Sequence, residues 1–228
     1  RSGRAFFAIN KFEEALGILN YGLTLDPENQ PMKDTVDKVL KKIEADKIAK
    51  EKKEREAREK EMKQSILANA IKLRHIDIIT TTRPAEMLDD TNIRLEDPLD
   101  YQLQLIFPAT VVYPTLDEFD FVAEISELTT PLELIETVLN RPKEWFEQDQ
   151  KHKHFANFKL LECYMETVSG GLAKVGRKIA INEALMADKP EVPLFDNSLR
   201  IYVVPKSEVP SWIETWSKDA ALGKRKGI

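Results

Sequence analysis

The sequence predicts an α+β chain in which a helical N-terminal part and a long charged helix precede a twisted β-sheet surrounded by helices. Three observations carry this. Residues 1–30 space their apolar side chains as two short helices do, with Phe6, Phe7 and Ile9 before a polar Asn10-Lys11 break and Ala15, Leu16, Leu19 and Leu23 after it. Lys41 to Lys63 is almost wholly Lys, Arg, Glu and Ala. Tyr101 to Thr130 holds the densest run of strand-type residues: Tyr101, Leu103, Leu105 and Phe107 alternate with Gln102 and Gln104, and Phe119, Phe121, Ala123 and Ile125 alternate around Asp120 and Glu124. Each run offers one apolar face at period two, the pattern of a sheet with a core side.

Composition bounds what such a chain does. With 228 residues, 42% hydrophobic, and 8 glycines, it can bury a real core. No run approaches the length of a membrane span, and the first residues read as the middle of a helical pattern instead of a signal peptide. A lone Cys163 excludes an internal disulfide and suits a reducing compartment, the cytoplasm or the nucleus. The formal charge of -5, with both signs interspersed, gives no basic stripe for direct nucleic-acid binding.

The first segment, residues 1–30, looks like the last, partial unit of a tetratricopeptide repeat. Aligning Asp26-Pro27 with the repeat's closing pair puts Ala15, Gly22 and Gly3 at its small sites and Phe12 and Phe6 at its aromatic sites. Small residues are needed there because paired helices approach closely, and Pro27 ends the second helix for want of an amide donor. A solenoid needs several such units, so earlier ones are expected upstream. In repeat modules that hold chaperone tails, a Lys and an Arg four residues later clamp the tail carboxylates, and Arg1 falls on the Arg position. A guanidinium fork suits a carboxylate; the bland alternative is a solvated terminal charge.

Residues 31–75 form the second segment. Met32, Val36, Val39, Leu40 and Ile43 mark an amphipathic helix that caps the repeat. The charged run continues it, with Glu51–Arg55, Glu54–Arg58, Glu56–Lys60 and Glu59–Lys63 in the favourable order, each worth ~0.3 kcal/mol. That favours a solvated helical rod. Ile66, Leu67, Ala70, Ile71 and Leu73 restore an apolar stripe for docking on the next domain.

Residues 76–228 form the third. Ile76–Thr80 reads as a strand, Pro84–Leu88 as a short helix, and Pro108 and Pro114 should bound strands or lie on an edge. Thr130-Pro131-Leu132-Glu133 is a capping box with proline at the first helical position. Lys143–Gln150 reads as a polar helix, Leu160–Thr167 as a strand, Gly170-Gly171 as a turn, and Val175–Ile181 as a partner strand, with Asn182 capping a short helix. Leu199–Val204, apolar on both sides, belongs inside the sheet. Pro210 opens a final helix carrying Trp212, Ile213, Trp216 and Ala220 on one stripe, before a frayed tail.

Candidate chemistry is sparse. Gly171 to Lys178 spaces two glycines like a phosphate loop, but Arg177 and Lys178 replace its Lys and hydroxyl, so it reads as a hairpin. Asp117, Glu118 and Asp120 read as a solvated turn, His152, His154 and Cys163 fall short of a four-ligand zinc site, and Cys163 reads as core. Trp212 and Trp216 offer either a partner-docking stripe or, more commonly, a face that packs a terminal helix on a sheet. No catalytic residue, cofactor or metal is expected.

The order of segments, with RLEDP, YPTLDEFDFVAEISELTT, SGGLAKVGRK and VPLFDNSLRIYVVPK, resembles the fungal cyclophilin seven suppressor co-chaperones and their animal relatives, tetratricopeptide proteins ending in a wheel domain. The resemblance implies a non-enzymatic adaptor of the ninety-kilodalton heat-shock chaperone that also contacts the seventy-kilodalton one. It implies translation elongation factor two as client, with a recruiter protein that brings it in. Rival readings are an RNA or ribosome contact through the charged helix and a repeat-coupled enzyme such as a prolyl isomerase.

Overall fold

The computed structural model describes residues 2–227. It divides into two compact units, Arg1–Met62 and Lys63–Ile228.

The first unit is helical. Helix α1 (Ser2–Ala8) turns at Asn10, which adopts a positive φ, into α2 (Phe12–Leu25). The two lie close because Gly3 faces Leu19, where an added Cβ would fall 2.7 Å from Leu19 Cγ. Ala15, Leu19 and Val39 form the buried centre, flanked by Phe6, Phe7, Phe12 and Met32. Helix α3 (Gln30–Leu73) starts where Asn29 Oδ1 accepts from Met32 N at 3.1 Å. It then runs unbroken through the charged stretch, and residues 44–62 are exposed on every side. A face with nothing to bury is held as a helix by backbone bonding and side-chain pairs such as Lys42–Asp46 at 3.0 Å.

The second unit contains the sheet. The last turns of α3 bring Ala70 into its core, and the helix ends in a reciprocal pair of bonds, Ile76 N to Ile71 O and His75 N to Lys72 O. This is the Schellman arrangement, with His75 at φ 55° in the position usually given to glycine. Strands β1 (Ile78–Ile79) and β2 (Arg94–Leu95) follow, separated by a 3-10 turn at Glu86–Leu88. Next come β3 (Leu105–Tyr113), β4 (Glu118–Ser126), and helices α4 (Pro131–Val138), α5 (Lys143–Phe146) and α6 (Gln150–Lys153). Strands β5 (Leu161–Glu166) and β6 (Leu172–Val175) precede α7 (Ile181–Leu185), β7 (Leu194–Phe195) and β8 (Leu199–Pro205). Helices α8 (Val209–Thr215) and α9 (Lys218–Arg225) complete the unit. The main sheet runs β2-β3-β8-β5-β6 with β4 also on β3, and β1 pairs with β7. Only β3 and β8 are parallel within the main sheet. Apolar on both faces, β8 sits inside the sheet as its sequence predicts.

Burial separates the two faces. Phe107, Val111, Cys163, Met165, Ile201 and Val203 share one core with Leu134 and Ile135 of α4. Tyr164, Val204, Val209 and Trp212 form a second cluster on the other face, under α8. Thr130 caps α4 through the reciprocal Glu133 bonds, with Pro131 in its first turn, as the sequence predicts. The same bonds, led by the Thr130 backbone amide, hold the exposed Glu133 carboxyl below its usual range.

Several elements differ from expectation, each for a local reason. The alternating run begins its strand only at Leu105, because Asp97 and Asp100 carboxylates accept from Leu99 N and Gln102 N and bend the chain. Pro108 lies within β3 instead of bounding it. Phe107 pairs with Ile125 and Ala109 with Val122, so Ala123 and Glu124 bulge opposite the proline that has no amide to give. Partner strand β6 is Leu172–Val175, so the strand expected at Val175–Ile181 shares only Val175 with it and the chain turns after Gly176. Ala180, not Asn182, is the N-cap of α7, and Asn182 spends its backbone amide on Glu127 O at 2.8 Å. Trp216 is extended at ψ 127°, which breaks the expected final helix in two, and Ser217 caps the second half. The expected frayed tail is instead helical up to Arg225, whose side chain meets Glu166 at 2.6 Å.

Two ionic networks brace the unit. Glu127, 2% exposed, receives both Arg74 Nε, at 3.1 and 3.2 Å, and the Leu105 amide at 2.8 Å. Arg74 also donates to the carbonyls of Tyr101 and Leu103. His152, 7% exposed, lies between Asp149 Oδ1 at 2.9 Å and Glu118 Oε1 at 3.1 Å. Burial opposes its charge, but the two carboxylates outweigh burial and raise its pKa.

Removing one partner of a buried ion pair leaves the other uncompensated. Arg74→Ala should therefore cost the second unit about 3 kcal/mol, while Arg74→Met with Glu127→Met should cost less than Arg74→Ala alone, both read from urea unfolding. For His152 the folded pKa lies above the unfolded one. Its contribution is complete below about pH 6.5 and is lost as pH rises through the raised value. Thermal midpoints should fall as pH rises above about 6.5 in the parent, and His152→Gln should flatten that slope.

Candidate docking surface

The polar residues singled out in the sequence resolve into structural roles. Asp117 takes a positive φ of 58° in the β3–β4 turn. Asp120 is not solvated as expected: it accepts the Tyr113 hydroxyl at 2.7 Å and the Arg141 guanidinium, which lies 4.4 Å over the Trp145 ring. Burial, and then the Asp120 bond, push the Tyr113 phenol far up. Glu118 is tied to His152, and His154 Nδ1 contacts Glu208. The three residues weighed for zinc therefore stay apart in role, with the Cys163 thiol fully buried and pushed up to about 12 by that burial. Among the described residues no group of three His, Cys, Asp or Glu side chains is arranged to hold a metal ion.

Leu172–Val175 of the glycine-spaced stretch lies in a strand, and Arg177 Nη1 donates to Phe158 O at 2.5 Å instead of facing a loop. Trp212 is 8% exposed, its ring 5.3 Å from Tyr164 and 5.7 Å from Tyr202. Trp216 is partly exposed and donates Nε1 to Gly170 O at 2.9 Å. The structure thus brings the two tryptophans together over β5 and β8, with ring centroids 5.9 Å apart. Arg1 lies outside the described residues.

A surface that sequence reasoning missed lies on the other half of the same sheet face. Directly paired residues share a face, so Val112 with Phe119 and Thr110 with Phe121 line up beside Arg200 and Tyr202. Helices α8 and α9 stop short of this half, and a cleft of ≈ 280 Å³ opens over it, lined by Met87, Leu88, Val112, Phe119, Phe195 and Arg200 among others. Phe119 is 53% exposed. Charge at the cleft is largely engaged: both oxygens of Asp196 accept from Thr81, and Arg200 stacks 4.7 Å over Phe195. Such a surface can receive apolar side chains of another chain. The signal for it was the alternation through Phe119 and Phe121, which placed both on one face without revealing that the segment around Met87 and Leu88 covers it only in part.

Comparison with known proteins bears on the family of the chain. The chain is 45% identical over 226 residues to a curated protein of Saccharomyces cerevisiae named Hsp70/Hsp90 co-chaperone CNS1, and 33% identical over 221 residues to its Schizosaccharomyces pombe namesake. It spans 58% and 59% of their lengths. Among solved structures, the Hsp90 co-chaperone Cns1 from Saccharomyces cerevisiae (delta69) matches with a TM-score of 0.93 at 44% identity, over 99% of this chain and 72% of that one. The separately solved C-domain of that co-chaperone matches with a TM-score of 0.69 at 48% identity, over 72% of this chain and 98% of its own. The description "Cns1/TTC4 Wheel domain" fits residues 97–216, which include β3 to β8 and α4 to α8, and the chain belongs to that family.

Proposed function

We propose that this chain is part of a co-chaperone adaptor, working with the ninety-kilodalton and seventy-kilodalton heat-shock chaperones in the cytoplasm. The observation that carries this reading is likeness along almost the whole chain, since 99% of it aligns at 45% identity with a relative whose name is Hsp70/Hsp90 co-chaperone. In this reading α1 and α2 are the last unit of a tetratricopeptide module. Their close approach at Gly3 and the buried Ala15 support that assignment.

The adaptor makes and breaks no bond. Its repeat module holds a chaperone tail, Arg1 supplies one clamp to the tail carboxylates, and the wheel domain presents a surface to a client. Elongation factor two, delivered by a recruiter protein, is the client the family resemblance implies. Two modest contacts on one chain raise the local concentration of client at the chaperone, the physical content of avidity. The open sheet half and its exposed Phe119 support the second contact.

Expressed at its full natural length in yeast, the protein should co-purify with both the chaperone and the elongation factor. Arg1→Glu should lose the chaperone and keep the client. Loss of both partners, or of neither, counts against an adaptor with two separate contacts.

A further inference from the structure

The outer edge of β4 is the long free margin of the main sheet. The strand has nine residues and pairs only with β3. Among the described residues, no backbone group from Phe119 to Ala123 bonds to anything beyond that strand. The opposite margin, β6, has four residues. Proteins usually blunt an edge by shortness, proline, a bulge or an inward charge, because free amides and carbonyls invite another strand. Here the bulge at Ala123 and Glu124 disturbs one end and leaves Glu118 to Val122 regular.

The side chains along this edge sort by face. Phe119 and Phe121 point to the open face, beside the cleft containing Met87 and Leu88. Glu118 and Asp120 point to the other. Cations answer some of the acidity: Arg141 meets Asp120, His152 meets Glu118, and Arg94 meets Glu124 at 3.1 Å. Lys151 reaches the Thr115 carbonyl nearby. Yet the side chains of Glu118 and Glu124 remain 40% and 61% exposed, and Asp117 is exposed in the turn. A second copy of this chain fits poorly. Antiparallel self-pairing centred on Asp120 sets that carboxylate against itself, and centring on Phe119 brings Glu118 against Asp120, which is unfavourable either way.

We infer that the β4 edge from Phe119 to Ala123 is a docking site for an extended strand of another protein whose residues alternate apolar and basic. Main-chain bonds to β4 supply affinity. Apolar side chains meet Phe119 and Phe121 on the open face, and lysines or arginines meet Glu118 and Asp120 on the other, which supplies specificity. The inference is independent of whether the chain binds any chaperone.

The test uses the whole chain and a short synthetic peptide alternating valine and lysine, at physiological ionic strength. Hydrogen exchange at Phe119–Ala123 should slow on saturation with this peptide. A peptide of the same composition with its lysines in one block, or one alternating valine and glutamate, should give no such protection. Glu118→Lys with Asp120→Lys should weaken the valine–lysine peptide about tenfold and admit the valine–glutamate one. If that variant does not fold, the three peptides on the parent chain decide. Unchanged exchange at β4, equal protection by a control peptide, or protection that grows with protein concentration in the absence of peptide overturns the assignment, the last in favour of self-association.

Discussion

The buried carboxylate of Glu127 is the constraint around which the second unit closes. An ionised side chain 2% exposed survives only where its charge and lone pairs are met. Meeting them here fixes three separate segments. Arg74 brings the end of α3, the Leu105 amide brings the start of β3, and the Glu127 backbone bonds Leu105 on one side and Asn182 of α7 on the other. The guanidinium then satisfies the carbonyls of Tyr101 and Leu103, the stretch that Asp97 and Asp100 bend out of the strand. One acidic side chain thus decides where the long helix stops, where the central strand starts and how the loop between them is held.

The same device recurs on the far side of the sheet. Glu166, 3% exposed, takes Arg225 at 2.6 Å and Arg200 at 3.8 Å, and both guanidiniums stack on Phe195. These contacts clamp α9 and the β7–β8 turn beside the strands, while Trp212 and Trp216 cover β5 and β8. The coverage ends there. The half of that face belonging to β3 and β4 stays open because the C-terminal helices are tethered to the other half, and the same tethering leaves Phe119 in solvent.

Much of this architecture was legible in the residues. The capping box at Thr130, the two-sided apolar run of β8, the helical charge run and the core position of Cys163 all follow from local chemistry that tertiary contacts did not overrule. What stayed hidden was set by partners distant in sequence. Arg74 and Glu127 are 53 positions apart, and Arg225 and Glu166 are 59 apart. Each of these charges looks solvated when read alone. Pro108 misled because a proline inside a strand is acceptable only if the neighbouring strand bulges, and Ala123 and Glu124 carry no residue-level mark of doing so. The end of α3 lies within two residues of the expected boundary at 75, although His75 takes the left-handed position that a glycine would have advertised. The candidate docking face was half visible: alternation gave its side chains, while its exposure depends on where α8 and α9 come to rest.

Arg225 lies near the last residues of the chain, yet its side chain is only 9% exposed. Loss of this guanidinium would strip away the main counter-ion of an interior acid and unfasten α9 from the 167–168 carbonyls it also grips. Helix α9 is therefore a latch rather than an appendage, and a change at Arg225 reaches the sheet it packs beside.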